Sequence, residues 1–134
     1  MKNWTRFTLA VLLVAAAGCA ATGPKRTVTV DGLAGTTWEG VWSSDGGHGM
    51  RNPIRLTVEQ VDLGAVLGTI VIISQGRDYP YPAKGLIATK DGASWVRLTV
   101  EARSAVFDLK LSGDRLEGHG TSPIHQGPVT LTLQ

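Results

Sequence analysis

The stretch that decides the fold is Ile54-Arg55-Leu56-Thr57-Val58-Glu59, in which apolar and polar side chains alternate strictly. Successive side chains of a β-strand point to opposite faces of the sheet, so this stretch predicts a strand with one buried and one solvated face. The same alternation recurs at 96–101, 107–111 and 129–133, and no segment has a helical period. The chain is therefore predicted to be all-β and antiparallel.

From Thr36 onwards, eight strand-like runs follow one another, with turn residues between them. The predicted strands are 36–43, 54–62, 65–74, 81–89, 93–101, 104–112, 115–121 and 127–133. The connections after the second, fourth and sixth runs are tight turns, whereas the first, third and seventh connections are longer, at 44–53, 75–80 and 122–126. In a meander that closes on itself, alternate connections emerge at the same end. The long loops should therefore gather at one end, where function is commonly found.

An apolar-x-Gly pattern recurs at Gly40, Gly68, Gly85 and Gly118. Glycine inside a strand usually marks a bend or a close approach of two backbones. Small closed barrels need such bends, because each strand coils sharply around a narrow interior. The sequence thus predicts an eight-stranded antiparallel up-and-down β-barrel. A two-sheet β-sandwich is the alternative, since it would produce much the same pattern.

Residues 35–134 resemble the lipocalin and avidin-like group of small ligand-binding barrels. The resemblance rests on the strand count, on the glycine pattern, and on Gly35-Thr36-Thr37-Trp38 at the first strand, where lipocalins have Gly-x-Trp. It implies a lipocalin-like barrel that binds a small apolar or amphipathic molecule.

The N-terminal segment has the composition of an export signal. Lys2 and Arg6 precede an apolar run at 7–17, which is shorter than the roughly 20 residues of a membrane-spanning helix. Ala16-Ala17-Gly18-Cys19 then resembles the lipobox of bacterial lipoproteins, although the family usually has Leu at the position of Ala16. An ordinary secreted protein with a leftover cysteine is the alternative.

The lipobox resemblance implies a domain order and a location. Residues 1–18 would be a signal peptide that is removed, 19–26 an acylated cysteine with its tether, and 27–134 a single β-barrel domain. Ala20 stands where the family's inner-membrane retention signal has Asp, which implies the outer membrane, on its periplasmic face. Several acyl chains anchor a protein stably, because each buried methylene contributes ~0.8 kcal/mol.

Charge excludes one class of partner. Removing Lys2 and Arg6 from the 13 basic residues leaves 11, which equals the number of acidic residues. A nucleic-acid partner is not expected, because its phosphates require clustered Lys and Arg.

Candidate ligand-binding residues are the aromatic, histidine and arginine side chains of the strands and long loops. Such residues line cavities and are enriched at binding surfaces, although tryptophans also commonly fill cores. The candidates are Trp38, Trp42, His48, Arg77, Tyr79, Tyr81, Trp95 and His125.

No catalytic residue, metal site or cofactor is predicted. Ser43, Asp45 and His48 lie within one Gly-rich loop, whereas the members of a hydrolase triad usually come from separate elements. His48 and His125 belong to loops at the same predicted end, but no further ligand completes a metal site.

The third run is apolar on both faces, with Val66, Ile70 and Ile72 on one face and Leu67, Val71 and Ile73 on the other. Something should therefore cover its outer face. We expect the segment at 27–30 to do so in preference to a partner protein, although that segment could also form a short extra strand or a plug. The first strand starts at the tight-turn end, so the tether should emerge there.

The leading functional hypothesis is a membrane-anchored envelope lipoprotein whose barrel binds a small ligand at its loop end. The alternative is an accessory or assembly module that binds another envelope protein through the long loops or the third strand. A ligand binder should have an interior void, whereas an interaction module should be packed solid.

Replacing Cys19 by Ser should release the protein from membranes, because the thiol that would carry the lipid is lost. Fractionation of the host followed by ultracentrifugation measures this, with Ala20→Ser as the matched control. A Cys19→Ser variant that still sediments with the membranes would show that lipid on this cysteine is not the anchor.

Overall fold

The computed structural model describes residues 27–45 and 50–134, which form one closed barrel of eight antiparallel strands. Each strand pairs with its neighbours in the chain, and β1 also pairs with β8. The up-and-down barrel is thus confirmed and the two-sheet sandwich is excluded. The strands are β1 (Thr37–Ser43), β2 (Arg51–Asp62), β3 (Ala65–Ser74), β4 (Arg77–Lys90), β5 (Ala93–Val100), β6 (Ala105–Ser112), β7 (Arg115–Thr121) and β8 (Gln126–Leu133).

The alternation in β2 works as the sequence predicts. Ile54, Leu56 and Val58 are buried inside the barrel, while the residues between them face outwards. After Val58 the register against β3 shifts by one residue, so that Val61 rather than Gln60 points inwards. This β-bulge bends the strand and strengthens its twist, which helps a short sheet to close.

Large side chains fill the interior of the barrel. Eight of those on the strands are almost completely inaccessible to solvent, and they come from every strand except β4: Trp38, Leu56, Ile70, Leu98, Phe107, Leu109, Leu116 and Leu131. Each such side chain contributes about 1.5–3 kcal/mol through burial, so this packing is the main source of stability. It leaves the ends of the barrel as the places where a molecule could bind.

The segment before β1 plugs the tight-turn end. Val28 N donates a hydrogen bond to the carbonyl oxygen of Gly113 in the β6–β7 turn (3.1 Å), and a three-residue 3₁₀ helix follows at Val30–Gly32. Leu33 is then buried in the core. Of the two forms considered for residues 27–30, the plug is confirmed and the extra strand is wrong. β1 therefore starts at the tight-turn end, as predicted.

The expected cover of β3 is wrong. The hydrogen bond of Val28 holds its segment beside the β6–β7 turn, and Val28 packs against the core rather than on the outside of β3. The outward side chains of β3 and of its neighbour β4 include Leu67, which is 48% exposed, and Leu86, which is 66% exposed. An apolar stripe thus remains on the outer surface of the described barrel.

The connections follow the predicted order with one exception. Leu63-Gly64 and Asp91-Gly92 form two-residue turns with positive φ at both positions, as hairpins with a type I′ turn require. Gln75-Gly76 has the same geometry, so the long loop expected at 75–80 is wrong. Pro80 lies in this stretch and Pro82 lies just after it. Because proline is rare in strands, the sequence favours a loop here. The longer connections at the open end are 44–50, 101–104 and 122–125.

The four glycines of the repeated pattern lie where neighbouring backbones nearly touch. A Cβ atom on Gly40, Gly68, Gly85 or Gly118 would overlap a carbonyl oxygen of the adjacent strand. Only glycine permits this approach, so the prediction of close backbone contact is confirmed at all four positions.

Replacing Gly118 by Ala should therefore destabilise the barrel by about 3 kcal/mol or more, because the new methyl group overlaps the Asp108 backbone and the sheet must open. Thermal unfolding should show a midpoint lowered by roughly 10 °C or more. Gly32→Ala is the control, since its Cβ would meet its nearest atom at 3.7 Å and its effect should stay within about 0.5 kcal/mol. Equal stability of the two variants would show that close strand approach does not limit the fold.

Candidate functional site

A pocket of about 230 Å³ opens at the end of the barrel opposite the plug. It lies over the filled core, between β1, the start of β2, the end of β3 and the three longer connections. The side chains that give it its character are Trp42, Asn52, Ile72, Arg103, Ser122 and His125.

Trp42 forms the floor of this pocket. It lies in β1 opposite Asn52 of β2 and Val129 of β8, and its ring makes an edge contact with Phe107 at a centroid distance of 4.8 Å. The residue is only 3% exposed, yet its indole Nε1 has no hydrogen-bond partner. Burial of a donor without a partner costs about 1–3 kcal/mol, so this group needs an explanation.

His125 forms one wall and is held by a local clamp. The hydroxyl of Ser122 donates to the carbonyl oxygen of His125 (3.0 Å), and His125 N donates back to the same hydroxyl oxygen (3.0 Å). The imidazole ring stands edge-on to Trp42 at 4.4 Å between centroids. His125 is 9% exposed, and its Nε2 also lacks a partner. Two residues that line the same pocket thus each have a buried polar atom without a partner.

Gly120 makes room for this cluster. A Cβ atom at that position of β7 would come within 2.7 Å of Phe107 Cε1 and 2.8 Å of Trp42 Cε2. A larger residue would push the aromatic rings into the pocket. The contribution of Gly120 was not predicted, although the Gly-His-Gly run at 118–120 was a visible signal.

Arg103 brings a positive charge to the pocket. It ends a short 3₁₀ helix at Glu101–Arg103, and its guanidinium lies 5.6 Å from the centroid of the Tyr81 ring. This cation–π contact positions the guanidinium at the rim. No aspartate or glutamate lines the described part of the pocket. Arg103 was not among the predicted site residues, because no local pattern at 101–103 indicates a helical turn.

The structure brings only some of the predicted residues together. Trp42 and His125 both line the pocket. Tyr81 is not a lining residue, but its ring contacts Arg103, which is. Trp38 is buried towards the plugged end, where its Nε1 donates to Thr36 Oγ1 (2.8 Å).

The remaining candidates lie elsewhere. Trp95 is on the outer face of β5, since Val96 and Leu98 beside it point inwards, so the expectation that it lines a cavity is wrong. Arg77 and Tyr79 are exposed residues at the start of β4 rather than on a loop. His48 lies outside the described residues, as does Cys19.

A second polar cluster lies outside the barrel. Asp45 Oδ2 is 3.2 Å from His119 Nε2, and the hydroxyl of Thr121 is 3.4 Å from His119 Nδ1. All three residues are exposed. Across residues 27–45 and 50–134, no group of three His, Cys, Asp or Glu side chains is arranged to hold a metal ion.

Several charged groups of the outer surface form ion pairs with one another. Arg97 and Asp108 form two hydrogen bonds across β5 and β6, which lower the pKa of the Asp108 carboxyl below its usual value. In a groove of about 470 Å³ that runs over the outer face of β3 and β4 to the 101–104 connection, Lys84 pairs with Glu101 at 2.7 Å and lowers the pKa of that carboxyl. Such exposed pairs contribute little to stability. The pocket of about 230 Å³ at the open end, called the mouth pocket from here on, differs from these surface pairs. Two of its lining residues, Trp42 and His125, have buried polar atoms without a partner.

No protein-family model matches the chain, and no curated protein matches its sequence. In the part of the chain that the structure describes, no helix is long and apolar enough to cross a membrane.

Proposed function

We propose that this chain is a lipid-anchored envelope protein whose barrel is a rigid scaffold for binding a small apolar or amphipathic molecule at its open end. The observation that carries the proposal is that two residues lining one pocket, Trp42 and His125, each have a buried polar atom without a hydrogen-bond partner, Nε1 and Nε2 respectively. Buried polar groups are nearly always hydrogen-bonded, and a bound molecule would supply the missing partner.

The filled interior limits what can bind. A lipocalin-like ligand would enter deep into the barrel, but Trp38, Phe107 and Leu98 occupy that space here. The pocket of about 230 Å³ lies below the 300–1,000 Å³ that is usual for sites of drug-sized ligands. We therefore propose a small molecule, or the end of a larger one, seated above Trp42.

The proposed anchor is an acylated Cys19, on the strength of the lipobox resemblance. The position of the plug supports this arrangement, because the described chain begins beside the β6–β7 turn at the plugged end. A tether attached there would place the plugged end nearest the membrane. The mouth pocket would then face away from the lipid and be accessible to a ligand in the periplasm.

An envelope-protein partner is the second candidate, and the outer face of β3 and β4 favours it. Leu67 and Leu86 are exposed there, with the half-buried Val71 and Ile73 and two prolines nearby. Contiguous apolar surface on a barrel commonly marks an interaction site. In this role the barrel would be an accessory module, consistent with its filled core.

Native mass spectrometry of the full-length protein extracted from its host distinguishes the two candidates. We expect one small molecule per chain, lost in His125→Phe, which fills the pocket and removes a polar group. Trp95→Phe, which changes only the outer face, is the control and should retain the molecule. A stoichiometric second polypeptide without a small molecule would support the accessory module, and apoprotein alone would contradict ligand binding.

A further inference from the structure

We infer that the mouth pocket recognises a carboxylate carried on a short apolar chain. This inference rests on the proposed function, to which it adds the chemical class of the ligand. It follows from the hydrogen-bonding capacity of the two unpaired atoms, from the charge at the rim, and from the size and apolar lining of the pocket.

The unpaired indole decides that the ligand carries an acceptor. A tryptophan Nε1–H can only donate a hydrogen bond, so the missing partner of Trp42 must have a lone pair. The Nε2 atom of His125 can donate in one tautomer, and its ring is only 4.4 Å from that of Trp42. A carboxylate has two oxygens and about four lone-pair sites, so it could accept from both residues.

The charge at the rim favours an anion over a neutral acceptor. Arg103 lines the pocket without a carboxylate among the described lining residues. Glu101, its neighbour in the 3₁₀ helix, pairs with Lys84 instead. Guanidinium groups bind carboxylates through short, charge-assisted hydrogen bonds, and the stacking on Tyr81 restricts the arginine to this rim. A ligand with an amine head group would bind poorly, because its positive charge would lie next to hydrogen-bond donors and the Arg103 guanidinium.

The remaining lining sets the size and character of the tail. Ile72 closes the pocket on the β3 side, and the exposed side chains of Met50 and Ile124 stand at its rim. A volume of about 230 Å³ accommodates roughly eight non-hydrogen atoms at the ~30 Å³ that water occupies in the liquid. Hexanoate has that size, and a longer chain would extend past Met50 and Ile124 and cover them.

The test is an NMR titration of the ¹⁵N-labelled full-length protein in phosphatidylcholine nanodiscs, with hexanoate, 1-hexanol and hexylamine as probes. Hexanoate should shift the Trp42 indole N–H resonance saturably, with the resonance assigned from its loss in Trp42→Phe. The Trp38 indole, already bonded to Thr36, and the outer Trp95 indole should not move. Hexanol and hexylamine should bind at least about tenfold more weakly, because each lacks the anionic head group.

Arg103→Gln should weaken hexanoate binding by roughly tenfold or more and leave hexanol binding unchanged, since one charge-assisted hydrogen bond is lost. Arg103→Lys keeps the positive charge and should therefore weaken hexanoate binding less than Arg103→Gln does. Lys90→Gln, which removes a cation at the tight-turn end, is the matched control and should have no effect.

Two results would overturn the inference. Equal affinity for hexanoate and hexanol, or an Arg103→Gln variant with unchanged hexanoate affinity, would show that the head group is not recognised as an anion. Ligand binding at the mouth would survive that result if mass spectrometry still found a small molecule. If no probe moves the Trp42 indole, solvent satisfies the two polar atoms and the carboxylate assignment fails.

Discussion

The close approach of neighbouring backbones at inward-facing glycines is the constraint on which this structure depends. At Gly40, Gly68, Gly85 and Gly118 a side chain of any size would overlap the carbonyl group of the next strand. Because glycine allows the strands to coil tightly there, a sheet of only eight strands can close through the β1–β8 pairing. The barrel is consequently narrow enough to be filled by side chains, and closure leaves no free sheet edge.

The filled interior makes the two ends of the barrel chemically different. At the plugged end, Leu33 is buried and the Trp38 indole has found a hydrogen-bond partner in Thr36. At the open end, Trp42 and His125 are buried to a similar degree without such partners. The polar groups of the plugged end are therefore satisfied within the fold, whereas those of the open end are not. The polar atoms that the fold leaves unsatisfied are the ones that a ligand at the mouth could use.

The strand order and closure could be predicted because a period-two pattern and turn glycines are local signals. The outward position of Trp95 could also be predicted, because its neighbour Val96 and then Leu98 point inwards and side chains alternate along a strand. The contact between Trp42 and His125 could not be predicted from the sequence. It depends on the register of β1 against β8 and on the hydrogen bonds between Ser122 and His125. The tight hairpin at Gln75-Gly76 was not predicted, because Pro80 and Pro82 follow it and proline is rare in strands.

The closure of the sheet is tested most directly by nuclear Overhauser effects at Gly40, which lies opposite Ile54 of β2 and also opposite Leu131 of β8. A closed barrel predicts backbone cross-peaks from Gly40 to both residues, together with slow hydrogen exchange of the amides between β1 and β8. Cross-peaks to Ile54 in the absence of any to Leu131 would mean an open sheet. An open sheet would have neither the enclosed core nor the mouth above it.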